Sequence, residues 1–330
     1  MSIDFHKLNI LIKNQFIKNS YLSFLPLLAF YLLLIWHRPR YIMDGDEPRY
    51  YGYAINLIHG FYSSPPPDIN LWSGPGYSII LIPFVALHLP LFWIKVLNTL
   101  LMYCSVVFLH KSLKLIVNIR LTLILSLFWG FYYYAFKELT MVLTEPLTSF
   151  LISAFLYSIV KYWSSKQKGL LILAGVLLGY IALTKIIWGY VILITLSVGL
   201  IMLLFKANRY KYKLIVAIST IALLINLPYL VYTYNLTGKV FYWGNSGGMS
   251  LYWMSTPYPD EYGDWKPTGL INGNSPEPYG TAKGDSILQA NHKIEIQYIL
   301  KHTGVAQDNE FKKAALKNIK AHPVNLLKIV

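Results

Sequence analysis

Long apolar stretches alternate with short basic ones over the first two thirds of the chain. An α-helix needs about 20 mostly apolar residues to cross a bilayer. The stretches of suitable length and composition are roughly 20–36, 90–109, 120–136, 141–160, 169–184, 186–205 and 214–234. This pattern predicts an all-α polytopic membrane protein, a helical bundle of about seven spans.

The stretch 76–88 (GYSIILIPFVALH) is also apolar, but it is too short to cross a bilayer. Pro83 interrupts it, and Pro90 lies two residues beyond its end. We therefore expect a helix here that lies in the membrane interface or re-enters it.

The composition changes after residue 234. Gly, Pro, Asn, Trp and Tyr dominate 235–285, which is turn-forming chemistry, whereas 286–302 and 307–321 have helical apolar spacing. The pattern predicts two domains: a transmembrane helical domain at 1–234, with a first outer loop at 37–75, and an external loop-rich and helical domain at 235–330.

The amino-acid composition excludes an ordinary soluble enzyme. Of the 330 residues, 55% are hydrophobic and only 13% are charged, against about 25% charged in soluble domains. The net charge of +14 comes from basic residues between apolar stretches, not from one basic face or a basic-aromatic stripe. The expected partners are therefore membrane lipids and no nucleic acid.

The placement of Lys and Arg predicts the topology. Up to residue 234, one set of alternate connections holds thirteen of them and the other set holds six. Because cytoplasmic loops are the richer in Lys and Arg, the N-terminus is expected to be cytoplasmic. The loop 37–75 and the segment 235–330 are then expected on the outer face of the plasma membrane.

Acidic residues are few and unevenly placed. Before residue 234 there are seven, and those predicted on or near the outer face are Asp44, Asp46, Glu47, Asp68, Glu138 and Glu145. Glu145 lies one turn into an apolar run, where an uncompensated charge costs at least about 2.5 kcal/mol. Lys185 is its basic counterpart between two apolar runs. The pattern indicates an acidic site at the outer face.

An enzyme with its site outside has no nucleotide pool, and the sequence contains no GxGxxG motif or P-loop. A transferase of this kind must take its activated group from a lipid. A sugar on a polyprenyl phosphate leaves phosphate behind, which needs cations but no proton donor. The acceptor hydroxyl or amine needs one general base, and a carboxylate supplies it.

Four stretches carry a resemblance to a known family. The first loop contains MDGDEPRYYGY and, after a Pro-rich stretch, P-G-Y with an apolar tail. L-T-E-P-L follows at 143–147, L-G-Y-I-A-L-T-K at 178–185, and Pro228 precedes YNLTGKVFYWGNSGG. Their order resembles the GT-C membrane glycosyltransferases, in the protein-mannosyltransferase-like and aminoarabinose-transferase-like branch (family 39 type). The tail DNEFKKAALKNIKAHPVNLLKI resembles the amphipathic helix before that family's next span.

The resemblance implies roles for particular residues. Asp46 would be the catalytic base, Glu47 would position the acceptor or a metal ion, and Glu145 would be the second acid. Arg49 and Lys185 would bind the donor phosphate. The further substrate-binding candidates are Tyr50 and Glu138. A divalent metal ion is left open as cofactor, and its candidate ligands are Glu47, Glu145 and His59.

The chain departs from the family pattern at two places. Thr233 to Asn235 stand where the family has Arg-Asn, and the chain ends where further C-terminal spans are expected. Each candidate also has a structural interpretation. Asp46 and Glu47 could be a solvated pair, Glu145 a helix-start carboxylate and Lys185 a snorkelling cation. In the same way, Arg49 could be an ion-pair partner and His59 only hydrogen-bonded.

The predicted function is a glycosyltransferase that moves a sugar from a polyprenyl-phosphate donor to a lipid, glycan or protein acceptor on the outer face. Inversion at the sugar carbon is implied by the resemblance. The alternatives are a transporter or flippase of lipid-linked intermediates and an inactive assembly subunit. A transporter would show ionisable residues near mid-span and a repeat between its halves, and the sequence shows neither.

Overall fold

The computed structural model describes residues 19–205, 209–258, 261, 265–271 and 282–324, and these residues form helices and connections with no strand. The helices are α1 (Ser20–Ser23), α2 (Leu25–His37), α3 (Glu47–Ile58), α4 (Gly76–Ala86), α5 (Leu91–Leu113), α6 (Ile119–Gly130), α7 (Tyr133–Phe136), the 3-10 helix Lys137–Thr140, α8 (Glu145–Ser165), α9 (Lys168–Thr184), α10 (Ile187–Leu203), α11 (Arg209–Thr237), α12 (Gly247–Met254), α13 (Thr268–Ile271), α14 (Ala282–Ile299) and α15 (Gly304–Ala321). The all-α prediction therefore holds for this part of the chain.

The chain divides into two compact units. One comprises the residues up to Tyr62 together with Gly74–Leu230, and the other comprises Ser63–Ser73 together with the residues from Val231 onward. The division at 230 lies close to the composition change at 234. Residues 63–73 belong to the predicted first outer loop, yet they group with the C-terminal unit.

Two helices, α5 and α11, are long and apolar enough to cross a membrane. A third candidate is the pair formed by α6 and Tyr133–Thr140, which is bent by 50°. These helices coincide with the stretches predicted at 90–109, 120–136 and 214–234. The described residues thus contain two or three candidate spans, as expected for a membrane protein.

The other predicted spans are shorter or less apolar in the structure. α9 and α10 have 17 residues each, and α8 is long but includes several Ser and Thr. The stretch 20–36 is divided at Phe24, because Pro26 in the first turn of α2 has no backbone N–H to continue the preceding helix. The count of about seven spans therefore remains a prediction.

α4 is an apolar helix of 11 residues with Pro83 inside it. Such a helix rises only about 16 Å, which is far less than the roughly 30 Å of a hydrocarbon core. Pro90 lies just before the first residue of α5 and ends the turn that follows α4.

Two helices begin at a Glu-Pro pair. Glu47 opens α3 and Glu145 opens α8, and each is followed by a proline in the first turn. Proline suits this position because the first helical N–H groups have no partner inside the helix. Both carboxylates thus lie at the positive end of a helix dipole. This supports the helix-start interpretation of Glu145 without excluding a role in a site.

One buried cluster fixes the elements that carry these acids. It includes Tyr50 of α3, Tyr77 and Leu81 of α4, Leu147 of α8 and Ile181 of α9. In the C-terminal unit a separate core forms around α12, α14 and α15, and its largest buried side chains are Trp253, Tyr252 and Phe311.

Candidate functional site

The two acids of the Asp-Glu pair lie in different environments. Glu47 is buried, with 2% of its surface exposed. Its Oε1 accepts a hydrogen bond from the Val142 N–H at 2.6 Å, and its Oε2 accepts one from the Asp44 N–H at 3.0 Å. Glu47 therefore ties the first loop to the segment that precedes L-T-E-P-L.

Asp46 is the accessible acid of the pair. It occupies the N-cap position of α3 but makes no capping hydrogen bond with its side chain, which is 51% exposed. Its Oδ1 lies 3.0 Å from Nη2 of Arg49, one turn further along the helix. An exposed carboxylate held by one cation is available to an incoming hydroxyl, as a general base must be.

Glu145 and Lys185 form an ion pair. Nζ of Lys185 lies 3.0 Å from Oε1 of Glu145, and the Thr144 hydroxyl donates to Oε2 at 3.3 Å. The Lys185 side chain is 35% exposed and the Glu145 side chain is 44% exposed, so neither is fully buried. The structure thus brings together L-T-E-P-L and L-G-Y-I-A-L-T-K, which are far apart in the sequence.

Tyr77 of α4 and Asn98 of α5 form hydrogen bonds that reach the segment before L-T-E-P-L. The Tyr77 hydroxyl donates to Oδ1 of Asn98 at 3.0 Å, and Nδ2 of Asn98 donates to the Met141 carbonyl at 3.0 Å. Both side chains are fully buried. Asn98 therefore ties α4 to Met141, the neighbour of the Val142 whose N–H binds Glu47.

Close packing requires a residue without a side chain at Gly76, the glycine of P-G-Y. A Cβ on Gly76 would lie 2.5 Å from Oγ1 of Thr184 and 2.9 Å from backbone atoms of Leu183 and Thr184. The Tyr180 hydroxyl donates to the Gly76 carbonyl at 2.8 Å. The start of α4 therefore packs directly on the end of α9, next to Lys185.

The remaining candidates are less central. Tyr50 is buried against Tyr77, with ring centroids 5.6 Å apart, and Glu138 pairs with its neighbour Lys137 at 3.3 Å. His59 lies at the opposite end of α3 from Glu47, about 18 Å away along the helix axis. Its Nδ1 contacts the Ile55 carbonyl at 2.9 Å.

The structure does not assemble a metal site from the proposed ligands. Across 19–205 and the other described ranges, no group of three or more His, Cys, Asp and Glu side chains is placed to hold a metal ion. Both oxygens of Glu47 already accept backbone N–H bonds, and His59 lies at the far end of its helix. The candidate ligands Glu47, Glu145 and His59 therefore do not form such a group among the described residues.

Four residues near the acids were missed from the sequence: Arg40, Tyr77, Lys95 and Asn98. Nη2 of Arg40 lies 3.5 Å from Oε2 of Glu47. Lys95 is 3% exposed, its Nζ donates to the Arg40 carbonyl at 2.5 Å, and it lies within electrostatic range of Glu47. Lys95 and Asn98 could have been recognised, because two polar residues three apart in an apolar helix share one face.

The C-terminal unit has a polar cluster of its own. Nε2 of His292 donates to Oε2 of Glu261 at 2.6 Å, and Nδ1 contacts the Tyr252 hydroxyl at 2.7 Å. Nδ2 of Asn291 donates to Oε1 of Glu261 at 2.9 Å. Burial raises the pKa of Glu261, but these hydrogen bonds outweigh it and hold the pKa below its ordinary value. The cluster joins α14 to the turn after α12.

None of the protein-family models, curated proteins and solved structures compared with the chain matches it. The resemblance to the GT-C transferases therefore depends on the motifs themselves.

Proposed function

We propose that this protein is a membrane glycosyltransferase of GT-C type. It transfers a sugar from a polyprenyl-phosphate donor to a lipid, glycan or protein acceptor on the outer face of the plasma membrane, within a bundle of about seven spans. The observation that carries the proposal is that three of the motif stretches, the first loop, L-T-E-P-L and L-G-Y-I-A-L-T-K, lie against one another. Glu47 bonds the Val142 N–H, Glu145 pairs with Lys185, and Gly76 packs on Thr184.

Asp46 and Glu47 have different roles in this proposal. Asp46 accepts the proton of the acceptor hydroxyl, because it is the exposed carboxylate and Arg49 keeps it oriented. Glu47 holds the loop in place through two backbone N–H groups and is a positioning residue. A mobile loop would lose the near-attack geometry on which such a transfer depends.

Glu145 and Lys185 provide a second polar edge to the site. Both side chains are partly exposed, so the ion pair can separate to contact a bound group without uncovering a buried charge. Charges of opposite sign suit a donor with a phosphate at one end and sugar hydroxyls at the other.

The test is sugar transfer by Asp46→Asn in membranes that contain the native acceptor. Loss of a general base lowers the rate by about 10²- to 10⁴-fold, and the isosteric amide preserves the shape of the side chain. Asp68→Asn is the matched control, because Asp68 is an exposed loop carboxylate. Activity of Asp46→Asn within about threefold of wild type, well below that range, would reject Asp46 as the base.

A further inference from the structure

A cavity of about 470 Å³ opens where α2 ends and α5 begins. Aromatic and aliphatic side chains form its walls, among them Trp36, Tyr41, Leu91 and Phe92. Two cations, Arg40 and Lys95, line the same cavity. A charged end beside apolar walls is the layout expected for a lipid with an anionic head.

The two cations have unused hydrogen-bonding capacity. Arg40 lies 3.5 Å from Glu47 and 3.7 Å from Asp44, whereas a charged N–H···O bond is normally about 2.7–2.9 Å. Lys95 has three N–H groups, and the described residues give it a single hydrogen-bond acceptor, the Arg40 carbonyl. A buried ammonium with unmatched donors is costly unless an anion meets it.

The nearby carboxylates do not cancel these charges. Asp44 is 79% exposed and solvated, and both oxygens of Glu47 are committed to backbone N–H groups. Arg40 and Lys95 thus face one buried carboxylate, Glu47, which is engaged elsewhere, and one solvent-exposed carboxylate, Asp44. By contrast, the cations first considered for a phosphate have closer partners, because Arg49 and Lys185 each lie 3.0 Å from a carboxylate oxygen.

We propose that this cavity binds the phosphate of the polyprenyl lipid, with Arg40 and Lys95 on its oxygens and the isoprenoid chain along the apolar walls. This inference rests on the proposed function and assigns the donor subsite to residues outside the motifs. It places the phosphate on the Arg40 side of Glu47.

The site would favour the reaction as well as binding. The acceptor oxygen forms a bond to the anomeric carbon of the sugar while the bond from that carbon to the phosphate oxygen breaks. The electron pair of the broken bond stays on the phosphate, and the hydroxyl proton passes to the Asp46 carboxylate. The phosphate thereby changes from a singly charged diester to a monoester of about −1.5 to −2. Two cations on the phosphate oxygens hold the developing dianion more strongly than the singly charged donor.

The test is direct binding, so that it does not depend on transfer. The full chain is placed in phosphatidylcholine nanodiscs and titrated with farnesyl monophosphate, and farnesol serves as the uncharged probe. Arg40→Gln and Lys95→Met should each weaken farnesyl monophosphate binding about tenfold or more, the usual effect of losing a hydrogen bond to a charged group. Farnesol binding should stay unchanged in both variants.

Arg38→Gln is the matched control. It removes the same charge two residues earlier, from an exposed side chain that does not line the cavity. Its affinity should stay within about twofold of wild type, since a solvated charge outside the cavity is largely screened. Lys95 is buried, so the unfolding midpoint of each variant is measured. If Lys95→Met does not fold, the partly exposed Arg40→Gln decides the test.

Three results would overturn the proposal. Unchanged affinity of folded Arg40→Gln for farnesyl monophosphate would show that the phosphate does not bind in this cavity. A larger loss of farnesyl monophosphate affinity in Lys185→Gln or Arg49→Gln than in Arg40→Gln would show that the phosphate binds at Lys185 or Arg49 instead. Equal competition by phosphatidylglycerol or by inorganic phosphate would make the cavity a general anion site. Arg40-dependent binding without sugar transfer to any acceptor would instead reject the transferase and leave the lipid-phosphate site standing.

Discussion

Replacing Glu47 by Gln tests whether this acid holds the loop or performs chemistry. The carboxylate is buried and accepts two backbone N–H bonds, at 2.6 and 3.0 Å. Gln keeps one carbonyl oxygen, so one N–H stays bonded while the other faces an NH₂ group. A hydrogen bond to a charged acceptor contributes about 1.5–3 kcal/mol, and an unmatched buried N–H has a similar cost. We expect the free energy of unfolding to fall by about 2–3 kcal/mol.

The neighbouring substitution Asp46→Asn is the internal comparison. The Asp46 side chain is half exposed, and among the described residues it pairs with Arg49 at the surface. Such surface pairs contribute about 0–1 kcal/mol. Both variants are unfolded reversibly by SDS in mixed micelles, and the free energies are compared at one pH. Equal stability of the two variants, within about 0.5 kcal/mol, would refute the division of roles, because surface substitutions normally stay in that range.

Further predictions concern packing, pH and topology. Gly76→Ala should lower the free energy of unfolding by about 1–3 kcal/mol, because its Cβ would lie 2.5 Å from Oγ1 of Thr184. Gly52→Ala should be neutral or stabilising, because Gly52 lies in the interior of α3 and no described atom comes within 4 Å of its Cβ position. The pKa of Glu261 is lowered in the folded chain, so its stabilising effect is present above the unfolded value of about 4.3 and is lost as the pH falls through the folded value. The stability gap between wild type and Glu261→Gln should therefore narrow on acidification, and a gap independent of pH would contradict this. A cysteine at exposed Ser250, with the native cysteine replaced by serine, should react with an impermeant thiol reagent in intact cells. Labelling only after lysis would reverse the predicted topology.

The sequence singles out the acids of the candidate site together with Arg49 and Lys185, but not Arg40 or Lys95. Asp46, Glu47 and Glu145 stand out because few carboxylates occur in this apolar chain, and each lies beside a recognisable motif. Arg40 has no such motif, and its proximity to Glu47 depends on how the connection between α2 and α3 folds back. Local pattern carries no information on that path.

Helix boundaries show a similar limit. Hydropathy alone favours one span over 20–36, but Pro26 starts a new helix and leaves α2 with 13 residues. The contact between Gly76 and Thr184 joins residues more than 100 positions apart. The glycine could be noticed in the sequence, whereas its partner could only be found in the folded chain.

Asp46 and Glu47 are adjacent, yet one is buried and holds the loop while the other is exposed, as the proposed general base must be. Successive residues on a helix point about 100° apart, so at the start of α3 one acid faces the protein and the other faces solvent. Pro48 sets the helix start at this place. The buried acid then fixes the loop through Val142 and Asp44, and the exposed acid stays near Arg49 at the surface. Exchanging the two residues would place the shorter carboxylate inside, one methylene short of the Val142 N–H. The order Asp-Glu therefore matters more than the net charge of the pair, and a chain with Glu-Asp here should lose stability and transfer together.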